Sequence, residues 1–183
     1  MENASAPRKG VDWRIVFWLL FGFMLIADQL IKFWARNYFP NEQASKTIIP
    51  NVFDLTLTYN RGIAFGMFQH SGVLLAPIAI VIGLGGILYS MKHRSESPWV
   101  HVAMALLSGG ALGNLLDRVA AGKVTDMFHI RAFEFPVFNL ADSCITVAAC
   151  ILILRWGTEW LREPKGHAPS KDVEVSPPIE GAG

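Results

Sequence analysis

Four long apolar runs dominate the chain, from Trp13 to Trp34, Gly72 to Ser90, Trp99 to Leu116 and Phe138 to Leu154. At a rise of about 1.5 Å per residue, each as a helix is long enough for a hydrocarbon core of about 30 Å. Such runs constrain the fold more than any other feature, because a backbone in lipid must satisfy its hydrogen bonds within its own segment. The fold class expected is therefore an α-helical integral membrane protein with four transmembrane helices. Composition agrees: 17% of residues are charged, against about 25% in an average soluble domain. The net charge of +1 gives no bulk field for nucleic acid, and no nucleic-acid partner is expected. Asp28, Gln29 and Lys32 follow the first apolar core where a cleaved signal peptide would carry small residues, so that run reads as a retained span.

The 183 residues form one unit, with a membrane domain over 13–157. Residues 1–12 read as a short cytoplasmic arm and residues 158–183, rich in Pro, Gly and charge, as a disordered cytoplasmic tail. The connection over 36–71 is long, and long connections are commonly functional. Within it Phe53, Leu55 and Leu57 alternate with Asp54, Thr56 and Thr58 at strand period. Tyr59-Asn60-Arg61-Gly62 is a turn signal, and Ile63 to Phe68 has the composition of a short interfacial helix. Residues 119–137 form a second polar loop with some strand character. Four spans put both termini on one side. Lys and Arg favour that side, with Lys92 and Arg94 in the short 91–98 turn, so the termini are expected in the cytoplasm and the two longer loops outside. Gly109 and Gly113 make a small-xxx-small face for close helix approach. Cys144 and Cys150 both lie in the last span and read as packing residues.

Polar residues crowd the outward ends of these spans. Asp28 and Lys32 are four apart on one helix face, as are Asn114 and Arg118, with Asp117 beside them; Asn139 and Asp142 are three apart. Asp28/Lys32 reads as an internal ion pair pinning the first helix, and Asp117/Arg118 as an organising group. Asn60 and Gly62 fit a turn, and Asn114 and Asn139 fit interhelical hydrogen bonds. Asp142 is different, because it opens an apolar helix, where a carboxylate costs up to about 2.5–3.5 kcal/mol. A second acid, Asp126, precedes it across the loop. Two carboxylates held close share one proton. One takes a proton from an attacking water while the other hydrogen-bonds the scissile carbonyl, and either can serve as base. His129 lies three residues from Asp126, but no second His is near, and no metal or cofactor is expected. A Ser143/Lys32 dyad is the weaker catalytic reading. A small transporter or a non-catalytic helix scaffold are the rival classes, since intramembrane acids also mark ion paths.

In order along the chain, Asp28-Gln29-Leu30-Ile31-Lys32, Asn60-Arg61-Gly62-Ile63-Ala64-Phe65-Gly66, Gly109 to Arg118, Val124-Thr125-Asp126 and Phe135 to Ser143 resemble the lipoprotein signal peptidase (signal peptidase II) family of bacteria. The resemblance spans roughly residues 13–157; the tail after Glu159 matches nothing diagnostic. It implies an aspartyl endopeptidase of the bacterial inner membrane that cuts diacylglyceryl-modified prolipoproteins just before the lipid-bearing Cys. Its catalytic pair falls on Asp126 and Asp142. Substrate-binding or site-organising residues fall on Asn60, Gly62, Asn114, Arg118 and Asn139, with Asp28, Lys32 and Asp117 alongside. The implied fold adds a small periplasmic β-sheet platform and an interfacial helix to the four spans, with the active site near the periplasmic face. Membrane lipids and prolipoproteins are the expected partners, and the expected state is a monomer. Met127 stands where the family often has Phe, a change expected in the pocket wall.

Overall fold

A computed structural model describes residues 11–62 and 72–162. Four long helices and one small sheet appear in the order α1 (Trp13–Tyr38), β1 (Ser45–Ile49), β2 (Phe53–Asn60), α2 (Gly72–Lys92), α3 (Pro98–Ala121), β3 (Val124–Ile130) and α4 (Leu140–Arg162). All four helices are long and apolar enough to cross a membrane. The expected interfacial helix at 63–68, the arm up to residue 10 and the tail from residue 163 lie outside the described residues.

The helices are turned inside out relative to a soluble bundle. Along α1 the buried residues are Phe17, Asp28, Lys32 and Ala35, while Leu19, Phe23, Ile26, Leu30 and Phe33 are exposed. Apolar outside and charged inside is the arrangement a lipid solvent favours. Helix α3 is the hub: 67% of its span is buried, against 17–22% for the other three, and α1, α2 and α4 all pack on it. Its glycines allow this. A Cβ on Gly110 would lie 2.5 Å from the Ala141 carbonyl oxygen of α4, and one on Gly113 would lie 2.7 Å from Asp28 Oδ2 of α1. On the other side Gly86 of α2 leaves room for Ser108. Gly109 also faces α1, at ordinary contact distance from Phe21 and Met24, so the expected Gly109/Gly113 face is the α1 seam.

Several boundaries differ from the sequence expectation, α1 ending at Tyr38 and α2 at Lys92 among them. α3 continues past Leu116 to Ala121, because Arg118 and Val119 still fit a helix; it stops at Gly122, whose φ of 69° is left-handed and whose N–H reaches the Arg118 carbonyl at 2.9 Å. β2 runs through Tyr59 and Asn60, pairing with Thr125 and Val124, so the turn is confined to the residues after Asn60. α4 starts at Leu140, not Phe138, and continues through Arg162, so the first five residues assigned to the tail are helical.

The sheet is antiparallel in the order β1-β2-β3. It lies at the end of the bundle where α1 and α3 finish and α4 begins. Between the pairs Leu55–Phe128 and Thr58–Asp126, β2 has two residues, Thr56 and Leu57, against the single Met127 of β3. This bulge bends the strand beside Asp126. Beneath the sheet Leu57 and Met127 pack with Ala35 of α1 and Phe39, the residue that caps it. Met127 is fully buried there. It is therefore a core residue joining sheet to helix, and the pocket-wall role expected for it is corrected. On the far edge of β3, Phe138 pairs with Phe128: each N–H donates to the other's carbonyl, at 3.0 and 2.8 Å. That short bridge delivers Asn139 to the side of Asp126.

Candidate active site

The site is assembled from the ends of three helices and one strand. Asn139 precedes the first residue of α4 and caps it. Its Oδ1 accepts from the Asp142 N–H at 2.9 Å, while Asp142 Oδ2 accepts from the Asn139 N–H at 3.2 Å. This is a reciprocal capping box. Its acid therefore sits in the first turn by helix-end chemistry, close to the positive end of the helix dipole. Asn139 is thus a cap outside the helix and does not share a helical face with Asp142, as the spacing alone suggested.

The Asn139 amide links the two acids. Its Nδ2 donates to Asp126 Oδ1 at 2.6 Å and also lies 3.1 Å from Asn114 Oδ1. Asn114 in turn donates from Nδ2 to Asp142 Oδ1 at 2.8 Å. Each carboxylate thus receives a side-chain amide donor, and Asp142 a backbone donor as well. Asp126 is 2% exposed and Asp142 is half-buried. Burial, and then the neighbouring Asp142 charge, push the Asp126 carboxyl up to about 7, against the opposing pull of the Asn139 hydrogen bond. Arg118 is half-buried; its Nη1 donates to the Asn114 carbonyl at 3.3 Å and its charge acts on both acids.

Below this pair lies a fully buried ionic layer. Lys32 Nζ is 2.8 Å from Asp28 Oδ2, 3.5 Å from Asp117 Oδ2 and 2.9 Å from Asn114 Oδ1. Asn114 Oδ1 accepts from both Lys32 and Asn139, so its amide can offer only the NH₂ side to Asp142. Asp28 Oδ1 accepts the Ala141 N–H at 3.0 Å, an otherwise unpaired donor in the first turn of α4. The expected Asp28/Lys32 ion pair is present, and it also fixes both α3 and α4.

Other candidates fall away from this centre. Asn60 Oδ1 accepts the Gly62 N–H at 3.0 Å, closing a local turn, and Arg61 pairs with Glu42. Ser143 Oγ donates to the Asn139 carbonyl at 3.1 Å while Lys32 is held by Asp28 and Asn114, so the Ser143/Lys32 dyad does not form. His129, an odd number of residues from Asp126 along β3, is on the other face of the strand and lies 3.4 Å from Thr56 Oγ1.

Aligned by sequence, residues 20–157 match the family model for signal peptidase (SPase) II. The chain belongs to the signal peptidase II family. It is accordingly a multi-pass membrane aspartyl protease. Similar proteins include the lipoprotein signal peptidase of Streptococcus pneumoniae, 40% identical over 69% of this chain and 82% of the relative. That of Deinococcus radiodurans is 36% identical over 82% of each. Two solved bacterial membrane enzymes share the fold. One has a TM-score of 0.76 at 27% identity, covering 83% of this chain and 93% of the other; the second has 0.70 at 29%, covering 77% and 92%.

Two side chains of this peptidase were not given a site role by sequence reasoning. Gln29 donates from Nε2 to Asp28 Oδ2 and to the Gly113 carbonyl, at 3.1 and 3.0 Å. Arg36 donates to Thr125 Oγ1 at 2.9 Å. Gln29 carries a signal, a polar residue inside an apolar run; Arg36, beyond the expected end of the first span, looks like an ordinary interfacial cation.

Proposed function

We propose that this signal peptidase, acting on prolipoproteins, cuts just before the lipid-bearing Cys and uses Asp126 and Asp142 as an acid–base pair. The observation that carries the reading is the single Asn139 side chain holding Asp126 while the Asn139 backbone holds Asp142. Asp126 keeps its proton up to about pH 7. It can hydrogen-bond the scissile carbonyl and pass a proton to the leaving amine. Asp142 accepts from Asn114 and from the Asn139 N–H, one at each carboxylate oxygen. It takes the proton of the attacking water. Arg118 balances the charge that the pair carries in turnover. Asn114 and Asn139 hold both acids, Lys32, Asp28 and Asp117 hold the asparagines and helix ends, and Asn60 and Gly62 close the turn at the end of β2.

The substrate reaches this site along the bilayer. A diacylglyceryl group confines it to one leaflet, and acids at the head of α4 meet it at the interface, where water is also present. The location that fits is the bacterial inner membrane, with termini in the cytoplasm, the sheet on the periplasmic side and the enzyme acting as a monomer on substrate and lipid alone. The dyad fits better than a transporter, because the buried carboxylates and lysine of the spans gather at one end of the bundle.

The deciding experiment incubates purified protein with a lipobox peptide in diacylglyceryl-modified and unmodified forms. Cleavage of the modified form alone, N-terminal to its Cys, is expected. Asp126→Asn and Asp142→Asn proteins, inserted normally, should lose that activity by a factor on the order of 10⁴ or more. Near-normal cleavage by either would sink the dyad.

A further inference from the structure

Thr125, the residue before Asp126, is held at three atoms. Its N–H donates to Asp117 Oδ2 at 2.9 Å, its carbonyl lies 3.4 Å from Asn139 Nδ2, and its Oγ1 accepts from Arg36 Nη1 at 2.9 Å. The same Arg36 nitrogen is 3.6 Å from Asp117 Oδ1. Arg36 in the last turns of α1 and Asp117 in the last turns of α3 therefore grip one strand residue from two directions. Thr125 is 2% exposed, whereas the Arg36 side chain is 35% exposed.

The grip sits near the start of β3, where Thr125 also pairs with Tyr59 of β2. β3 begins at Val124, directly after Lys123 and the left-handed Gly122, and the bulge of β2 lies opposite Met127, two residues beyond Thr125. A small rotation of the strand about its own axis would swing the Asp126 carboxylate away from Asn139. Pairing to β2 does not oppose a roll of both strands together; a bond from Thr125 to α1 does.

We infer that Arg36 is a positioning residue for the reaction: through Thr125 Oγ1 it sets the azimuth of β3 and hence the place of the Asp126 carboxylate. This rests on the reading of Asp126 as a reacting group. Arg36 touches neither acid, so it acts on them only through Thr125 and Asp117. Displacing a reacting group by about 1 Å lowers turnover on the order of a hundredfold, and a loosened strand that still visits the right place loses less.

Four proteins separate the possibilities: Arg36→Met, Thr125→Val, the double variant and Thr125→Ser, each assayed on the lipidated peptide with thermal unfolding in detergent measured alongside. Either single variant should lower kcat on the order of tenfold, leave KM within about twofold and unfold near the parent temperature. The double variant should be no slower than the worse single, because both cut one hydrogen bond. Thr125→Ser, which keeps the hydroxyl, should recover most of the turnover lost in Thr125→Val. Unchanged kcat in folded Arg36→Met, multiplicative losses in the double variant, or failure of Thr125→Ser to recover turnover would each overturn the assignment. Asp126→Asn run in parallel reports separately on the reading beneath it: activity there removes the dyad, whatever the Arg36 variants do.

Discussion

At the scale of single residues, the site depends on where two amide groups point. Asn114 and Asn139 are ambiguous alone, and each is fixed by a donor or acceptor outside the acids. Lys32 is the deepest of these. Replacing it with Met keeps the volume but leaves Asp28 buried without its cation and Asp117 with Arg36 alone. A loss of about 3–5 kcal/mol in unfolding free energy is expected, read by denaturation in detergent. Asp126 gives a second test. Because the Asp142 charge helps to raise its pKa, Asp142→Asn should lower the Asp126 midpoint from about 7, as followed by carboxyl NMR. In the parent, activity should fall as pH rises through about 7, where Asp126 gives up its proton. The stability sign is the same: this acid binds its proton more tightly folded than unfolded. Its contribution is therefore complete below the unfolded value of 3.8 and is lost as pH rises to about 7. Residue types and their spacing made Asp126, Asp142, Asn114 and Asn139 readable as candidates. The contact between Arg36 and Thr125 was not readable, because nothing in sequence brings the end of the first helix to a strand so much later in the chain.

Helices and strands set these residues in register through close contacts. Gly110→Ala would drive a methyl against the Ala141 carbonyl and Ile145. An overpacking cost of about 1–3 kcal/mol is expected. Activity should fall further than stability, since Ala141 adjoins Asp142; unfolding and turnover measured on one preparation would show the two losses. Four spans were evident from apolar length alone, and β2 from its alternation. β3 was harder to see. Val124 to Met127 is buried without alternation, because its two faces meet α1 and the acids, and a strand covered on both faces loses the period that marks a half-buried one. The start of α4 was misplaced for a related reason. Phe138 is as apolar as the span that follows, and only its pairing with Phe128 takes it out of the helix.

For the molecule as a whole, topology places the sheet, the acids and the ionic layer at one end, and the 93–97 turn at the other. The orientation is testable with single cysteines in a protein whose Cys144 and Cys150 are replaced by Ser. Cysteine at Arg131, beyond β3, should react with a membrane-impermeant thiol reagent in intact spheroplasts. Cysteine at Glu96 should react only after lysis. The reverse pattern would invert the assignment of termini.

Asp28 also has a consequence for biogenesis. The first helix enters the bilayer before its partners exist, and its own i,i+4 Lys32 is then the only cation within reach. The pair travels as a neutral unit until the third helix supplies Asn114 and Asp117. Only emergence of the fourth gives Asp28 the Ala141 N–H and brings in Asp142. On the proposed dyad, Asp126 and Asp142 stay on separate segments until the last hydrophobic segment docks, so a nascent chain is expected to gain activity only then.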